Sequence, residues 1–588
     1  MDWIIRGGRI VDGSGLPAFE GDVALKDGKV VRLGGRIEAE GAEVFDATGC
    51  IVAPGFIDPH THFDVQLLWD GQARPALEHG VTTIVPGNCS LSLAPLKAGD
   101  RQRVVGMFQQ IEEMPDAAFD GAFEWRWESF DGYLAALKES LSINVAPLVG
   151  HSVIRLWVMG AAATERSATA EELAAMQDLL EQCLEAGAVG LSTSFVDVDE
   201  NLMPVPSRYA HFEELDALAA VLGRYSRVLQ VVPEFYATDI TLARVDQLAE
   251  LSLRYGIPTT FSPLFDSAAT PDNVPRVMAR VAEQMARGAQ VWPQVQTRPI
   301  DISFTFEVAS LLFAGLPKWY RTMRMGVEEK IAALKDREWV GQLLAEAEPG
   351  GNGARWAAVQ VRGGVSDASL VGQTLGALAE AAGSSPAQVM IDLSLQHNLQ
   401  ASFIAASLGH NNSDRVGALL ADGNVHVGAS DAGAHIQSFA TYGDTGYLLG
   451  HFVRDQGALS LEAAIKKITA DTARIWGLPG RGQLAPGFAG DVAIFDAKEI
   501  DRCAEEARFD MPEEGMRYVR ASKGMVGVFV NGALSWSKAS GYGHAPVGQI
   551  ATQLPGAASA RGARWNTVSS MPRERAFTWH PWEKAPRF

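Results

Sequence analysis

Two histidines one residue apart sit in the stretch GFIDPHTHFD, where His60 and His62 lie between Asp58 and Asp64. Residues i and i+2 of an extended strand point to the same side, so both imidazoles can face one metal ion. The apolar run CIVAPG before them reads as a buried strand entering a polar loop, the place where α/β proteins concentrate their sites. Two more groups of fitting chemistry also follow apolar strands. Cys89 comes after TTIV in PGNCS, and a zinc ion lowers a thiol's pKa and takes its sulfur as a ligand. A small buried thiol acting as an apolar residue is the plainer alternative. Asp431 comes after VHVGAS, in GASDAGAH, where its carboxylate could touch the ion and accept a proton from water, or only cap the turn ahead. A divalent ion there would bring the pKa of bound water from about 15.7 to about 7 and polarise a carbonyl. Metal-assisted hydrolysis is the chemistry these residue types suggest.

Such a set needs strand ends to converge. The spacing from about Gly55 to Gly477 alternates apolar strands, such as GVTTIVPG, AVGLSTSF, RVLQVVPEF and VHVGASD, with helical patterns such as TAEELAAMQDLLEQCLEAG. Repeated strand-helix units predict an α/β fold, a (β/α)8 TIM-like barrel over residues 55–477. An insertion or lid is expected at about 300–389, too long for an ordinary connection, and its Trp319 and Tyr320 could line an apolar pocket. Residues 1–54 and 478–550 read instead as short strands with Asp-Gly and Gly-Gly turns, two halves of one small β-sandwich domain that pair in space. The tail 551–588 has no clear period and is a possible contact in a homo-oligomer.

Bulk composition narrows the partners. A chain of 588 residues with 20% charged residues and a formal net charge of -20 is globular and repels both nucleic acid and anionic membrane surfaces. Four scattered cysteines make no disulfide framework, and the start carries no export signal, so a cytoplasmic location and a small-molecule substrate are expected.

In its order of motifs the chain resembles the amidohydrolase superfamily, within it the D-aminoacylase or N-acyl-D-amino-acid deacylase branch. The matching stretches are GGRIVDGSG, VAPGFIDPHTHFD, ALEHGVTTIVPGNCS, VAPLVGHSVIR, GAVGLSTSF, GASDAGAH, SLEAAIKKITADTARIWGL and RGQLAPGFAGDVAIFD. The resemblance implies a metal-bearing barrel with a β-sandwich from both chain ends. It makes His60, His62, Cys89 and Asp431 the metal ligands, with Asp431 also the general base. It sets His151 and Arg155 of GHSVIR near the substrate. His151 could equally be a structural histidine. His435 lies four residues past Asp431, on a nearby face of a helix begun at Ser430, and is open to substrate contact.

The sequence leaves the branch's pattern at strands five and six. Related deacylases carry metal-binding histidines there, but RVLQVVPEF and PTTFSPLFD contain no histidine and no lysine. A basic group expected to face a substrate carboxylate is replaced by Leu264 or Phe265. Gln230 and Glu234 share a face with Val232 and could offer an oxygen to the metal or substrate, and Gln294 and Gln296 share another face. One Zn2+ per chain is the economical expectation, with other divalent metals open. His410, in the polar loop SLGHNNSD before the last barrel strand, could reach the pocket mouth, with a solvated loop histidine the more ordinary account. The function expected is hydrolysis of a non-peptide amide bond in an apolar or aromatic substrate. The alternatives are an ester, lactone or activated C–C bond on the same scaffold, and a metal-free binding relative.

Overall fold

The structure is a computed structural model that describes residues 1–551 except 236, 269, 309, 314, 348–351, 429 and 544–545. The expected tail contact at 551–588 falls, beyond residue 551, outside the described residues. The described residues divide into two compact units, Met1–Ile300 with 407–551, and Asp301–Ala406.

In the first unit both chain ends share one nine-stranded sheet. Val492–Phe495 runs antiparallel to Ile51–Pro54, with Val492 opposite Pro54 and Phe495 opposite Ile51. Alternating apolar residues explain the pairing: Ile5, Ile10, Val23, Leu25, Val52, Val492, Ile494 and Phe529 all turn into one core.

The strand-helix units follow as two parallel arcs. Phe56–Asp58, Val81–Ile84 and Asn144–Val145 form the first. Leu148–Gly150, Gly190–Ser194, Val228–Val232, Thr259–Phe261, Val291–Val295 and His426–Val427 form the second. Helices Ala170–Ala186, Phe212–Tyr225, Thr238–Tyr255 and Asn273–Ala286 fall between strands of the second arc, the first of them fixed by a Thr169–Glu172 capping box. Among the described residues no continuous ladder closes these arcs into a ring. The first and last strands instead meet past their ends, through a single parallel bridge between Thr61 and Ala432. That bridge lies within the two motifs that carry His62 and Asp431.

Asp301–Ala406 has its own aromatic core of Phe304, Phe306, Phe313, Trp319, Trp356 and Phe403. Trp319 is fully buried and stacks on Phe313 at 5.3 Å, so the pocket role expected for it gives way to a packing one. Among the described residues no helix is long and apolar enough to cross a membrane.

Candidate metal centre

The first parallel strand stops at Asp58, and the chain continues extended through His60 and His62. Backbone bonds fix this segment on both sides: Asp431 N–H donates to His60 O at 3.1 Å, His62 N–H to Ala432 O at 2.8 Å, and Thr61 N–H to Val85 O at 3.1 Å. Asp58 turns away from the imidazoles. Its carboxylate accepts from His60 N–H at 3.4 Å and from the Ser430 hydroxyl, tying the first strand to the last, and burial pushes its pKa up to about 7.

Cys89 is held by a loop that folds tightly against its neighbours. Gly87 has φ +86°, and a Cβ there would lie 2.4 Å from Leu148 O, so only glycine fits. Asp64 accepts from Gly87 N–H at 3.1 Å, and Ser90 N–H donates to Ser192 Oγ at 3.1 Å. Cys89, Ser90, Asp431 and His435 all hold positive φ, of 54°, 68°, 64° and 50°. Non-glycine residues in this region cluster where a surrounding structure overrides local preference, as at binding sites.

The donors converge. His60 Nε2 lies 3.3 Å and His62 Nε2 3.1 Å from Asp431 Oδ1. Cys89 Sγ lies 3.5 Å from His60 Nε2 and 3.7 Å from His62 Nε2. A tetrahedral ion with nitrogen at about 2.0–2.1 Å and sulfur at about 2.3 Å separates its ligand atoms by roughly 3.3–3.6 Å. His60, His62 and Cys89, whose donor atoms all lie within 4.8 Å of one another, therefore fit a zinc-sized ion, and Asp431 Oδ1 faces it from the side of the two imidazoles.

Each histidine is oriented by a partner on its other nitrogen. His60 Nδ1 is 2.9 Å from Gln294 Oε1, an atom that only accepts, so the proton sits on Nδ1 and Nε2 keeps its lone pair. Ser262 Oγ lies 3.0 Å from the same nitrogen. His62 Nδ1 is 2.9 Å from Glu112 Oε1, a buried charge contact behind the ring. Such carboxylate–histidine pairs strengthen and aim a metal ligand.

The electrostatics ask for a cation. Burial holds His60 neutral, with its pKa down at about 4. Burial opposes charge on His62, yet Glu112 and Cys89 beside it push its pKa well above the usual value. Burial pushes the Cys89 thiol well up, and His62 offsets only part of that. For Asp431 burial acts upward, but its bond to His62 and the charge on that ring hold it well below the usual carboxylate range. Positive charge placed between these groups relieves all of them, and it would deprotonate the thiol.

Of the remaining expected residues, the structure brings two to the centre. His435 Nε2 stands 3.6 Å from Asp431 Oδ2 and stacks on Phe439, placing it at the rim. Gln230 is fully buried and donates from Nε2 to Ser262 Oγ at 3.2 Å, one bond behind His60. Three others, His151, Arg155 and Glu234, expected near the substrate, are engaged with protein partners, which for His151 matches its alternative reading as a structural histidine. His151 meets Thr193 Oγ1 at 3.0 Å and Glu214 Oε1 at 2.8 Å, so both ring nitrogens are taken. Arg155 donates to the same Glu214 at 2.7 Å and to the carbonyls of Ala163 and Arg166. Glu234 lies beyond the strand end at Val232 and is gripped by Arg244 at 2.8 and 2.9 Å. His410 is buried rather than solvated, its Nδ1 accepting from Asp266 N–H at 3.2 Å.

Glu112 is the functional residue the motifs did not single out. It caps the C-terminal end of helix Arg101–Ile111, where the helix dipole disfavours an anion. That misplaced charge, in QQIEEMPD, is the signal a sequence reader could have used.

The model of the amidohydrolase family matches residues 43–534. N-acyl-D-glutamate deacylase of Alcaligenes xylosoxydans xylosoxydans is 30% identical, over 92% of this chain and 94% of that protein. A solved D-aminoacylase, described as having a binuclear metal centre with one-metal activation and second-metal attenuation, is 26% identical with a TM-score of 0.65, covering 94% of this chain and 100% of that one. A solved N-acyl-D-glutamate deacylase of Bordetella bronchiseptica, in complex with zinc and a phosphonate that mimics the tetrahedral intermediate, is 25% identical with a TM-score of 0.65, over 94% of this chain and 99% of that one.

Proposed function

The chain belongs to the amidohydrolase family, a hydrolase acting on carbon–nitrogen bonds other than peptide bonds, and from that premise we propose that it cleaves the amide of an apolar or aromatic N-acyl compound at one divalent metal ion, zinc by preference. The observation that carries this reading is the cluster of His60, His62 and Cys89, whose donor atoms lie within 4.8 Å of one another, with Asp431 Oδ1 3.1–3.3 Å from both imidazoles. When bound, that ion supplies Lewis acidity toward water and the acyl carbonyl.

The chain's own residues do the rest. His60, held through its bond to Gln294, and His62, with the Glu112 carboxylate behind its ring, turn Nε2 toward Asp431. Asp431 Oδ1 faces the two imidazoles, which leaves Oδ2 to take the proton of the attacking water and return it to the leaving nitrogen. The carbon–nitrogen bond breaks as that proton arrives, giving a carboxylate and an amine. His435, beside Oδ2, is positioned to share this proton.

The substrate class rests on what surrounds strands five and six. Phe235 and Phe265 follow these strands and meet edge to face at 5.8 Å, and Leu264 is buried beside them. No lysine stands on either strand to bind an anionic head group. The same machinery would open an ester. A panel pairing an aryl-acyl amide, the matching ester and the matching N-acyl amino acid, run on metal-loaded protein, tests the assignment. Preference for the aryl amide over the amino acid is expected, and turnover of the ester alone would contradict amide cleavage.

A further inference from the structure

We propose that a neutral hydrogen-bond network behind His60 shuts out a second metal ion, so that the centre stays mononuclear even in excess metal and escapes the second-metal attenuation described for the related D-aminoacylase. The inference rests on the metal-centre reading above and concerns how that centre responds to metal supply.

The network is built from strands five, six and seven of the parallel arcs. Gln230 lies opposite Ser192 on one side and Thr260 on the other, so these side chains form one inward layer. Gln230 Nε2 donates to Ser262 Oγ at 3.2 Å, Ser262 Oγ lies 3.0 Å from His60 Nδ1, His60 Nδ1–H donates to Gln294 Oε1 at 2.9 Å, and Gln294 Nε2 donates to Thr260 Oγ1 at 3.1 Å. The chain of bonds passes behind a metal-ligating histidine and ends at Thr260.

Three properties make this a barrier. First, the donors are neutral. The strands VLQVV, TTF and VWPQV contain no His, Cys, Asp, Glu or Lys, so they offer neither imidazole nor thiolate nor a bridging carboxylate to a zinc-type ion. Second, the atoms are committed. Both ends of the Gln294 amide are bonded, and Ser262 is shared between Gln230 and His60. One acceptor, Gln230 Oε1, has no hydrogen-bond partner among the described residues, and a single neutral oxygen is too few ligands for such an ion. Third, the space is filled: Gln230, Thr260 and Gln294 are 0% exposed and Ser262 2%. Entry of a second ion would have to break the bond that keeps the proton on His60 Nδ1, and with it the aim of the first ligand.

The test is a metal titration of the full chain. Metal-free protein is loaded with increasing zinc, passed through a desalting column and measured by elemental and native mass spectrometry, with cobalt(II) absorption as a parallel record. Uptake is expected to stop at one ion per chain and stay there in excess, and the cobalt spectrum, with its thiolate band, to saturate at one equivalent. Retention of two ions by the wild-type chain would overturn the inference while leaving the metal-centre reading intact. Retention of none would overturn that reading, and the inference with it. The double variant Gln230→His, Ser262→His restores two imidazoles to the layer, and if circular dichroism shows it folded it is expected to take up a second ion. A folded double variant still holding one ion would show that this network is not what excludes the second.

Discussion

At the scale of single residues, the account turns on partners that aim the metal ligands rather than on the ligands alone. Glu112 sits where a helix end repels it, which is offset by its 2.9 Å charge contact with His62. Glu112→Gln keeps the shape and removes the charge, so metal affinity should fall about 10–100-fold with little change in thermal midpoint, as read by competition against a chelator. The buried trio of His151, Arg155 and Glu214 is expected to behave in the opposite way. Burial alone would raise the Glu214 pKa, but the His151 bond and the Arg155 charge bring it down to about 2. Because the folded value lies below the unfolded one of about 4.3, this carboxylate stabilises the protein at pH values above that, and its contribution fades as pH falls toward 2. Glu214→Gln should cost on the order of 3–5 kcal/mol near neutral pH, a gap that narrows between about pH 4.5 and 2, with metal content unchanged. Denaturant titrations of both proteins across that range decide it. His60 and His62 stood out from type and spacing next to a strand end, whereas for Cys89 and Asp431 type and position left a structural role open and the motif resemblance decided the reading. Glu112 was not legible, because the contact that gives it meaning joins a helix end to a strand end 50 positions earlier, counting from His62 to Glu112.

At the scale of elements, the centre is shaped by turns that few residues tolerate. Gly433 holds φ +92°, and a Cβ there would come within 2.9 Å of the His62 carbonyl group. Gly433→Ala should therefore destabilise the fold by roughly 1–3 kcal/mol and push the His62 segment off its bridge to the last strand, lowering metal retention as well. Elemental analysis alongside thermal unfolding would show both effects. The strands were readable from their apolar runs, but their ends were less so. Period-two alternation carried Glu234 onto the face of Gln230, whereas the strand stops at Val232 and Arg244 claims the carboxylate. His410 looked like a loop residue in water because SLGHNNSD is polar, yet the loop folds back onto Asp266 and buries the ring. In both cases a tertiary contact, invisible to local pattern, decided the side chain's fate.

At the scale of the whole molecule, the two separated β-rich ends declared by their turn chemistry that they belong together, and the sheet joining Ile51–Pro54 to Val492–Phe495 is the physical result. The strand-helix alternation likewise announced a parallel architecture, while the way its arcs meet depended on motif residues rather than on ladder hydrogen bonds. Asp301–Ala406 carries a separate aromatic core, which the sequence hinted at only through its length. Trp356 is 1% exposed and stacks on Phe313 at 5.3 Å, so Trp356→Ala should cost about 3–5 kcal/mol in the stability of that unit and leave the metal content of the centre unchanged. Differential scanning calorimetry with metal analysis of the same sample separates the two effects.

The central claim is that two imidazoles, one thiolate and one carboxylate hold the same ion. X-ray absorption at the zinc edge of the purified wild-type chain tests it most directly. A first shell with one sulfur at about 2.3 Å and three nitrogen or oxygen neighbours at about 2.0–2.1 Å is the predicted result. A zinc shell without sulfur would contradict the account.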